Sequence, residues 1–408
     1  MTSHPIVIIG GGAAGFFAAI ACAEKKPQCS VILLEQGRQV LAKVKISGGG
    51  RCNLTHSCFD PKTLTGFYPR GGKELLGPFH HFQPKDTVHW FEQRGVPLKT
   101  EPDGRMFPLS NTSQTIIDAL ENAARSAGVC IRTNVNITDL IFNDDKFTVL
   151  IENNEAISAS KVLLATGSGR RGFQWAAKLG HTIESPVPSL FTFLVPDTRL
   201  RGLEGISMPN AEVTLIGTKI KQTGPLLITH QGLSGPAILK LSAWGARAFH
   251  EKKYQTQIKI NWVNEKPEKV EQKLRELKEE LARKFLFSAP LFEMPRRLWE
   301  RILFSAGILE SQTWANLSRE QMLKIIDQLT NAIYKVTGQN SFKEEFVTCG
   351  GVRLDEVNFK TMESRRCPGL YFAGEILDID AVTGGFNFQN AWTTGWIAGQ
   401  ALSILKEK

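Results

Sequence analysis

The sequence predicts an α/β fold: a doubly wound, dinucleotide-binding domain of parallel strands and helices, split by a long insertion. Three observations carry this. The chain opens on a strand, a glycine turn, a helix, a second strand and an acid. It closes on a strand, a glycine, an acid and a glycine-led helix. The stretch between them is punctuated by prolines and then turns highly charged.

Pro5-Ile6-Val7-Ile8-Ile9 is a short apolar run with β-branched residues and reads as a strand. Gly10, Gly12 and Gly15 follow in G-x-G-x-x-G spacing, and an uncharged stretch to Ala23 reads as a helix. Val31-Ile32-Leu33-Leu34 is the next strand, ending in Glu35. Each part has a mechanical reason. Gly10 permits the tight turn, Gly12 removes the side chain where backbone meets a pyrophosphate, and Gly15 lets the helix press on the strand. The helix N-terminus presents free N–H groups and a positive dipole end. Glu35, 25 residues after Gly10, can accept hydrogen bonds from ribose hydroxyls and would repel a 2′-phosphate. The plainer alternative is a glycine-rich turn in an unrelated βαβ unit.

With 408 residues there is room for two or three domains and a sizeable core. Pro5 to Ala23 carries no charge, but four glycines in six positions and the missing basic segment argue against a membrane span or signal peptide. A soluble, cytoplasmic protein is expected. Seven cysteines, an odd number without a C-x-x-C pair, fit reduced thiols and no zinc or iron–sulfur framework. The His80-His81 pair and the other histidines lack ligand spacing, so no metal is expected. A formal charge of +9 is compatible with nucleic-acid binding but does not require it.

Along the chain, residues 84 to 128 look mostly helical, interrupted by the turn-rich link Glu101 to Pro108. Thr133-Asn-Val135, Phe147 to Ile151 and Val162 to Ala165 read as strands. Past Ser185-Pro-Val-Pro-Ser189, short strand-like runs follow, and from Glu265 to Lys335 the pattern is helical and charged. That charge run reads as a solvated helix face. The expected division is 1–186 and 346–408 for the nucleotide domain, 187–264 for a β-rich insertion and 265–345 for its helical part.

Near the C-terminus, Gly369-Leu-Tyr-Phe-Ala-Gly374-Glu375 is a strand running into a glycine and an acid, and Gly384-Gly385-Phe386-Asn387 opens a helix. Such an edge can hold a ribityl or phosphate group, and such a helix start can donate N–H groups to a flavin pyrimidine oxygen. Together with the N-terminal turn, this points to FAD rather than NAD. A strand–helix pair that merely packs the sheet is the alternative. Ala165-Thr166-Gly167-Ser-Gly169-Arg170-Arg171-Gly172 is formally another G-x-G-x-x-G after a strand. It reads either as a nicotinamide-binding fingerprint or, more plainly, as the loop where a strand returns to the FAD phosphates.

Ser47-Gly-Gly-Gly-Arg-Cys-Asn53-Leu-Thr55, Thr229-His-Gln-Gly-Leu-Ser-Gly-Pro236 and the Gly369–Glu375 and Gly384–Asn387 segments resemble the BaiN/RdsA family of FAD-dependent oxidoreductases over nearly the whole chain. The resemblance implies a Rossmann-like FAD domain, an inserted β-barrel-like domain and a helical subdomain. It also implies reduction of a uridine to dihydrouridine in large-subunit ribosomal RNA, reduction of a steroid enone, or oxidation of a small amine. Relatives often carry a longer loop where this chain has Ser168-Gly-Arg-Arg-Gly172.

The expected FAD contacts are Gly10, Gly12, Ala14, Gly15, Glu35, Lys43, Ser47, Gly48, Gly49, Gly50, Arg51, Cys52, Asn53, Val135, Ala165, Thr166, Gly167, Gly374, Glu375, Gly385, Phe386 and Asn387. Arg51 can place positive charge near a reduced ring or a substrate phosphate. Cys52 is either the acid that protonates carbon, if its pKa lies near working pH, or a small packing side chain. His230 and Ser234 either orient a substrate carbonyl from the insertion or belong to a structural loop.

The expectation is an FAD-dependent reductase. NAD(P)H is the transient reductant, the target is a C=C conjugated to a carbonyl, and uridine in ribosomal RNA or its precursor is the favoured substrate. Lys252-Lys253, Arg296-Arg297 and Arg365-Arg366 are candidate phosphate contacts, or scattered surface charge. A small-molecule flavin oxidase or reductase, and a non-catalytic FAD-containing RNA-binding factor, are the alternatives.

Overall fold

The computed structural model describes residues 4–288, 290–340 and 347–404. The chain forms two compact units, Met1–Pro188 with Lys343–Lys408, and Ser189–Phe342. The expected division at 345/346 lies outside the described residues.

Unit one is built on a seven-stranded sheet. Its parallel part runs Leu370–Phe372, Lys161–Leu164, Ile6–Ile9, Val31–Leu34 and Cys130–Arg132. Val357–Asn358 and Glu363–Ser364 extend one edge antiparallel. The inner strands read as unbroken apolar runs because both faces are covered: Val7, Ile8, Leu33, Val162 and Leu163 are fully buried. The expected strand at 133–135 ends earlier, at Arg132. Asn134 takes a left-handed turn (φ 54) that returns Val135 N–H to Glu35 C=O at 2.9 Å.

The helices Ala13–Lys25 and Phe386–Leu402 lie side by side and parallel. A Cβ on Gly395 would fall 2.6 Å from the Ala14 carbonyl oxygen, and one on Gly399 2.5 Å from that of Ala18. Small residues on both helices therefore permit backbone contact. Phe17 then sits among Phe82, Trp90, Phe91 and Trp392, with ring centroids 4.7–6.5 Å away. Because Gly395 sits level with Ala14, Phe386 begins roughly nine residues, about 13 Å, beyond the start of the first helix.

The link at 101–108 proves to be a hairpin tip. Leu98–Thr100 pairs with Arg105–Pro108, which also pairs with Thr55–His56. Pro102-Asp103-Gly104 is the turn signal; the strand after it is too short to show a period.

Unit two holds a second seven-stranded sheet, in the order Ala332–Val336, Thr256–Asn261, Ser207–Leu215, Lys221–Thr229, Gly232–Ser234, Thr192–Leu194, Gly338–Asn340. Every described pairing is antiparallel, and they run from one end to the other without closing a barrel among the described residues. Val213, Leu215, Ile258 and Ile260 share one core with Val270 and Leu274 of helix Pro267–Glu280, Leu298, Trp299 and Ile302 of Arg296–Ser305, and Ile325 and Leu329 of Arg319–Thr330. The charged outer face of Pro267–Glu280 carries the pairs Lys269–Glu265 and Arg275–Glu271, both i,i+4 and largely exposed.

Candidate functional site

The three fingerprint glycines have separable roles. Gly10 has φ 114, and a Cβ there would lie 2.3 Å from the Ala165 carbonyl oxygen. A Cβ on Gly15 would lie 1.9 Å from that of Gly10. Gly12 is different: a Cβ there would meet nothing within 4 Å. Two of the glycines are thus demanded by packing, and the third borders open space at an uncapped helix start. Ala165 N–H donates to Ile9 C=O at 2.8 Å, which fixes the return strand beside the turn.

Glu35 is half-buried. Its two oxygens accept the N–H groups of Gly11 at 2.7 Å and Gly37 at 2.6 Å. Each oxygen keeps a lone pair for a hydroxyl donor. Val135, buried at the same strand end, is tied to Glu35 through backbone.

Lys43 and Glu375, 332 residues apart, form an ion pair at 2.5 Å. Glu375 also accepts Thr348 N–H at 3.1 Å, and a Cβ on Gly167 would lie 3.5 Å from its Oε2. Gly374 adjoins Ala14, where a Cβ would come within 2.8 Å of the alanine methyl. The fold therefore brings Ala14, Lys43, Gly167, Gly374 and Glu375 together around the first helix start. The Thr166 hydroxyl is buried with no hydrogen-bond partner.

Ser47 ends the helical part of its segment (ψ 147), its hydroxyl on Val44 C=O at 2.9 Å. Gly48, Gly49 and Gly50 then take three successive left-handed conformations, φ 59, 68 and 82. A Cβ on Gly48 would meet Asn53 N at 2.9 Å, whereas Gly49 and Gly50 border open space. Asn53, with its amide turned so that donors meet acceptors, accepts Gly385 N–H at 3.0 Å and donates to Thr55 C=O at 3.2 Å. The motif is thereby stapled to the start of the C-terminal helix. Asn387 closes the next loop, its amide bonded both ways to the backbone of Ala381 at 3.0 and 3.1 Å.

Three of the expected site residues have surroundings that bear on their roles. Arg51 does not offer its charge openly: it pairs with Glu101 at 2.8 Å and lies over the Phe107 ring at 4.2 Å. It anchors the glycine turn to the hairpin. Cys52 is fully buried at φ 61, and burial pushes its thiol up to about 12 against a weaker pull from Ser47. The condition for an efficient acid near neutral pH is not met, and Cys52 fits the packing alternative. Phe386, at the start of the C-terminal helix, stacks its ring on Phe67 at 4.2 Å and on His56 at 4.6 Å.

The second glycine series has a packing demand of its own. Lys161–Leu164 belongs to the first sheet, and Gly172 is required because a Cβ there would lie 1.9 Å from the Thr166 hydroxyl. Arg171 is bonded to Asn136 and to Ile137 C=O, which accords with the plain loop reading.

In unit two, His230 is exposed at the turn after Lys221–Thr229, and Ser234 ends the short strand Gly232–Ser234. The basic pairs are largely tied down. Arg296 pairs with Glu300, Arg297 bonds Gly202 C=O, Arg366 pairs with Glu356, Arg365 bonds Val357 C=O, and Lys252 bonds Ile216 C=O.

Sequence reasoning missed Glu101, Phe107 and His56. His56 donates Nε2–H to Asp103 C=O at 3.1 Å, and its Nδ1 is buried without a partner. Its position three residues after Asn53 was the available signal.

The residues fit a dinucleotide. Open space lies over Gly12, Gly49 and Gly50, and two helix starts, at Gly12 and Gly385, carry no side-chain cap. A cofactor with a pyrophosphate and a distant carbonyl-bearing ring, as FAD has, matches that pair.

The HI0933-like protein Rossmann domain matches residues 4–401. A 3-dehydro-bile acid delta(4,6)-reductase of Clostridium scindens is 29% identical over 411 residues, covering 97% of this chain and 98% of its own. A ribosomal RNA dihydrouridine synthase of Escherichia coli is 28% identical over 418 residues, covering 100% of both. A 3-ketosteroid-delta4-(5alpha)-dehydrogenase from Rhodococcus jostii shares the fold, with a TM-score of 0.55 at 14% identity, 99% of this chain and 97% of that one being covered. With the parallel sheet, the glycine turn and a match over nearly its full length, the chain belongs to the HI0933-like Rossmann family of flavoprotein oxidoreductases.

Proposed function

We propose that the chain binds FAD in unit one and adds hydrogen across a C=C conjugated to a carbonyl, with NAD(P)H as transient reductant. The favoured substrate is uridine of large-subunit ribosomal RNA. The observation that carries this is the full-length likeness to two relatives, a delta(4,6)-reductase and a dihydrouridine synthase. Both names describe saturation of a carbon–carbon double bond.

The N–H groups after Gly12 hold the pyrophosphate, Glu35 the ribose, and the N–H groups after Gly385 the pyrimidine end of the ring. When bound, FAD supplies the hydride chemistry. The chain does the rest. Gly49 and Gly50 admit close approach of backbone. Asn53 and Asn387 hold the second helix start in place. The neutral Cys52 thiol packs beneath the turn. His230 and Ser234 remain the candidates for orienting a substrate carbonyl, to be tested by substitution.

The test is mass spectrometry of nucleosides from large-subunit ribosomal RNA, with and without this gene. Loss of a dihydrouridine, restored by the intact gene but not by a Gly12→Val copy, supports the reading. A second reading, reduction of a small steroid-like enone, is favoured by the bile acid reductase match. Unchanged dihydrouridine with flavin-dependent turnover of such an enone selects it.

A further inference from the structure

The basic excess is unevenly spread. Residues 189–342 hold 22 Lys and Arg against 15 Asp and Glu, a formal +7 of the chain's +9. The two segments of unit one hold 27 against 25. Three of those lysines, Lys221, Lys259 and Lys335, lie on one face of its sheet, and Lys219, Lys252 and Lys253 stand at one end of it.

The register puts it there. Ile333 pairs with Lys259, Lys259 with Thr214, and Thr214 with Lys221. One row along, Lys335 pairs with Gln257. The alternate residues Val213, Leu215, Ile258, Ile260, Tyr334 and Val336 point into the core, so the lysine rows occupy the opposite face. Lys221, Gln257 and Lys335 are exposed, and Lys259 is half-buried.

Lys219 stands on the turn into Lys221–Thr229. Lys252 reaches the same end, its Nζ 3.4 Å from Ile216 C=O, and Lys253 follows it. On the described rows the acid is Glu212, already paired with Lys221 at 2.8 Å. Lys219, Lys253, Lys259 and Lys335 make no ion pair among the described residues.

We propose that this lysine-bearing sheet face grips the phosphate backbone of RNA, without reading its sequence. The inference rests on the RNA reading of the substrate and says where the strand is held. Adjacent strands are about 4.8 Å apart, so Lys259 and Lys221 stand about 10 Å apart across the sheet. One nucleic-acid backbone can neutralise several such cations and release their counterions. Beside the lysines, Thr214, between Lys259 and Lys221, and Gln257, opposite Lys335, offer hydrogen bonds to phosphate and sugar. A lipid surface fits less well: Ile333 is the sole large apolar side chain exposed on the described rows, too little for insertion.

The experiment uses full-length, flavin-loaded protein and a transcribed fragment of large-subunit ribosomal RNA. Affinity is read by fluorescence anisotropy across a KCl series. Lys219→Glu/Lys259→Glu/Lys335→Glu is expected to bind at least tenfold more weakly, with a log–log salt slope shallower by about 2 to 3. Lys→Gln at the same three sites, which adds no negative charge, should show the smaller loss with a similar change in slope. Flavin content and melting temperature should not move.

Affinity and slope equal to wild type in both variants overturn the proposal. So does a loss confined to phosphatidylglycerol vesicles. If dihydrouridine proves independent of this gene while the variants still lose RNA, the substrate reading falls and the RNA face stands. If dihydrouridine depends on the gene and the variants keep full RNA affinity, the reverse holds.

Discussion

At the scale of single residues, the three fingerprint glycines should separate experimentally. Gly12→Val adds a side chain into open space, so the apo-protein should melt within about a degree of wild type while bound flavin is lost; absorbance near 450 nm and differential scanning fluorimetry check this. Gly15→Ala forces a methyl against the Gly10 carbonyl and should cost about 1–3 kcal/mol of stability in urea denaturation, with or without flavin. Cys52 makes the opposite kind of prediction. With its thiol held near 12 and fully buried, it should resist iodoacetamide in the native protein at pH 8, while the exposed Cys130 is alkylated. Peptide mass spectrometry reads both sites at once, and modification of native Cys52 at the rate of Cys130 would refute the packing role.

At the scale of elements, what positions the cofactor residues is the pair of parallel helices Ala13–Lys25 and Phe386–Leu402. Their contact through Ala14, Ala18, Gly395 and Gly399 sets the stagger between the two open helix starts. Gly399→Leu should therefore weaken both stability, by about 1–3 kcal/mol, and flavin affinity, although residue 399 lies far along the helix from Gly385. Equilibrium dialysis of flavin beside thermal melting would show it, and loss of stability with unchanged flavin affinity would refute the coupling. The hairpin Leu98–Pro108 plays the same supporting role for the glycine turn, through Glu101 and Phe107 on Arg51. The spacing of Gly10, Gly12, Gly15 and Glu35 was legible in sequence because local chain geometry imposes it. Glu101 was not: its partner lies 50 residues away, and only the folded hairpin brings the two within 2.8 Å.

At the scale of the whole molecule, two long-range features set behaviour in solution. One is the concentration of positive charge in residues 189–342. The other is His181, which is buried between its own helix end and the sheet edge. Its Nδ1–H donates to Ala176 C=O at 3.1 Å, and its Nε2 accepts the Ser364 hydroxyl at 2.8 Å, because that oxygen already accepts the N–H groups of Arg366 and Cys367. Burial lowers its pKa below the ordinary 6.5, against smaller opposing effects of Ala176 C=O and Glu356. A histidine favoured neutral in the fold contributes stability that is complete above pH 6.5 and is lost as pH falls below it. Denaturant midpoints should thus drop between pH 7.5 and 5.5, and His181→Gln, though less stable throughout, should drop less; equal slopes would exclude His181 as the cause. The amino-acid sequence by itself determined the strand–turn–helix units, the acid at the second strand end and the glycine-led final helix, because each depends on neighbours within a few residues. Tertiary structure alone decided that Arg51 pairs with Glu101, that Cys52 is buried, that Lys43 meets Glu375 and that the lysines of three strands share a face. Charge state, burial and strand register depend on segments distant in the chain, and only packing brings those together.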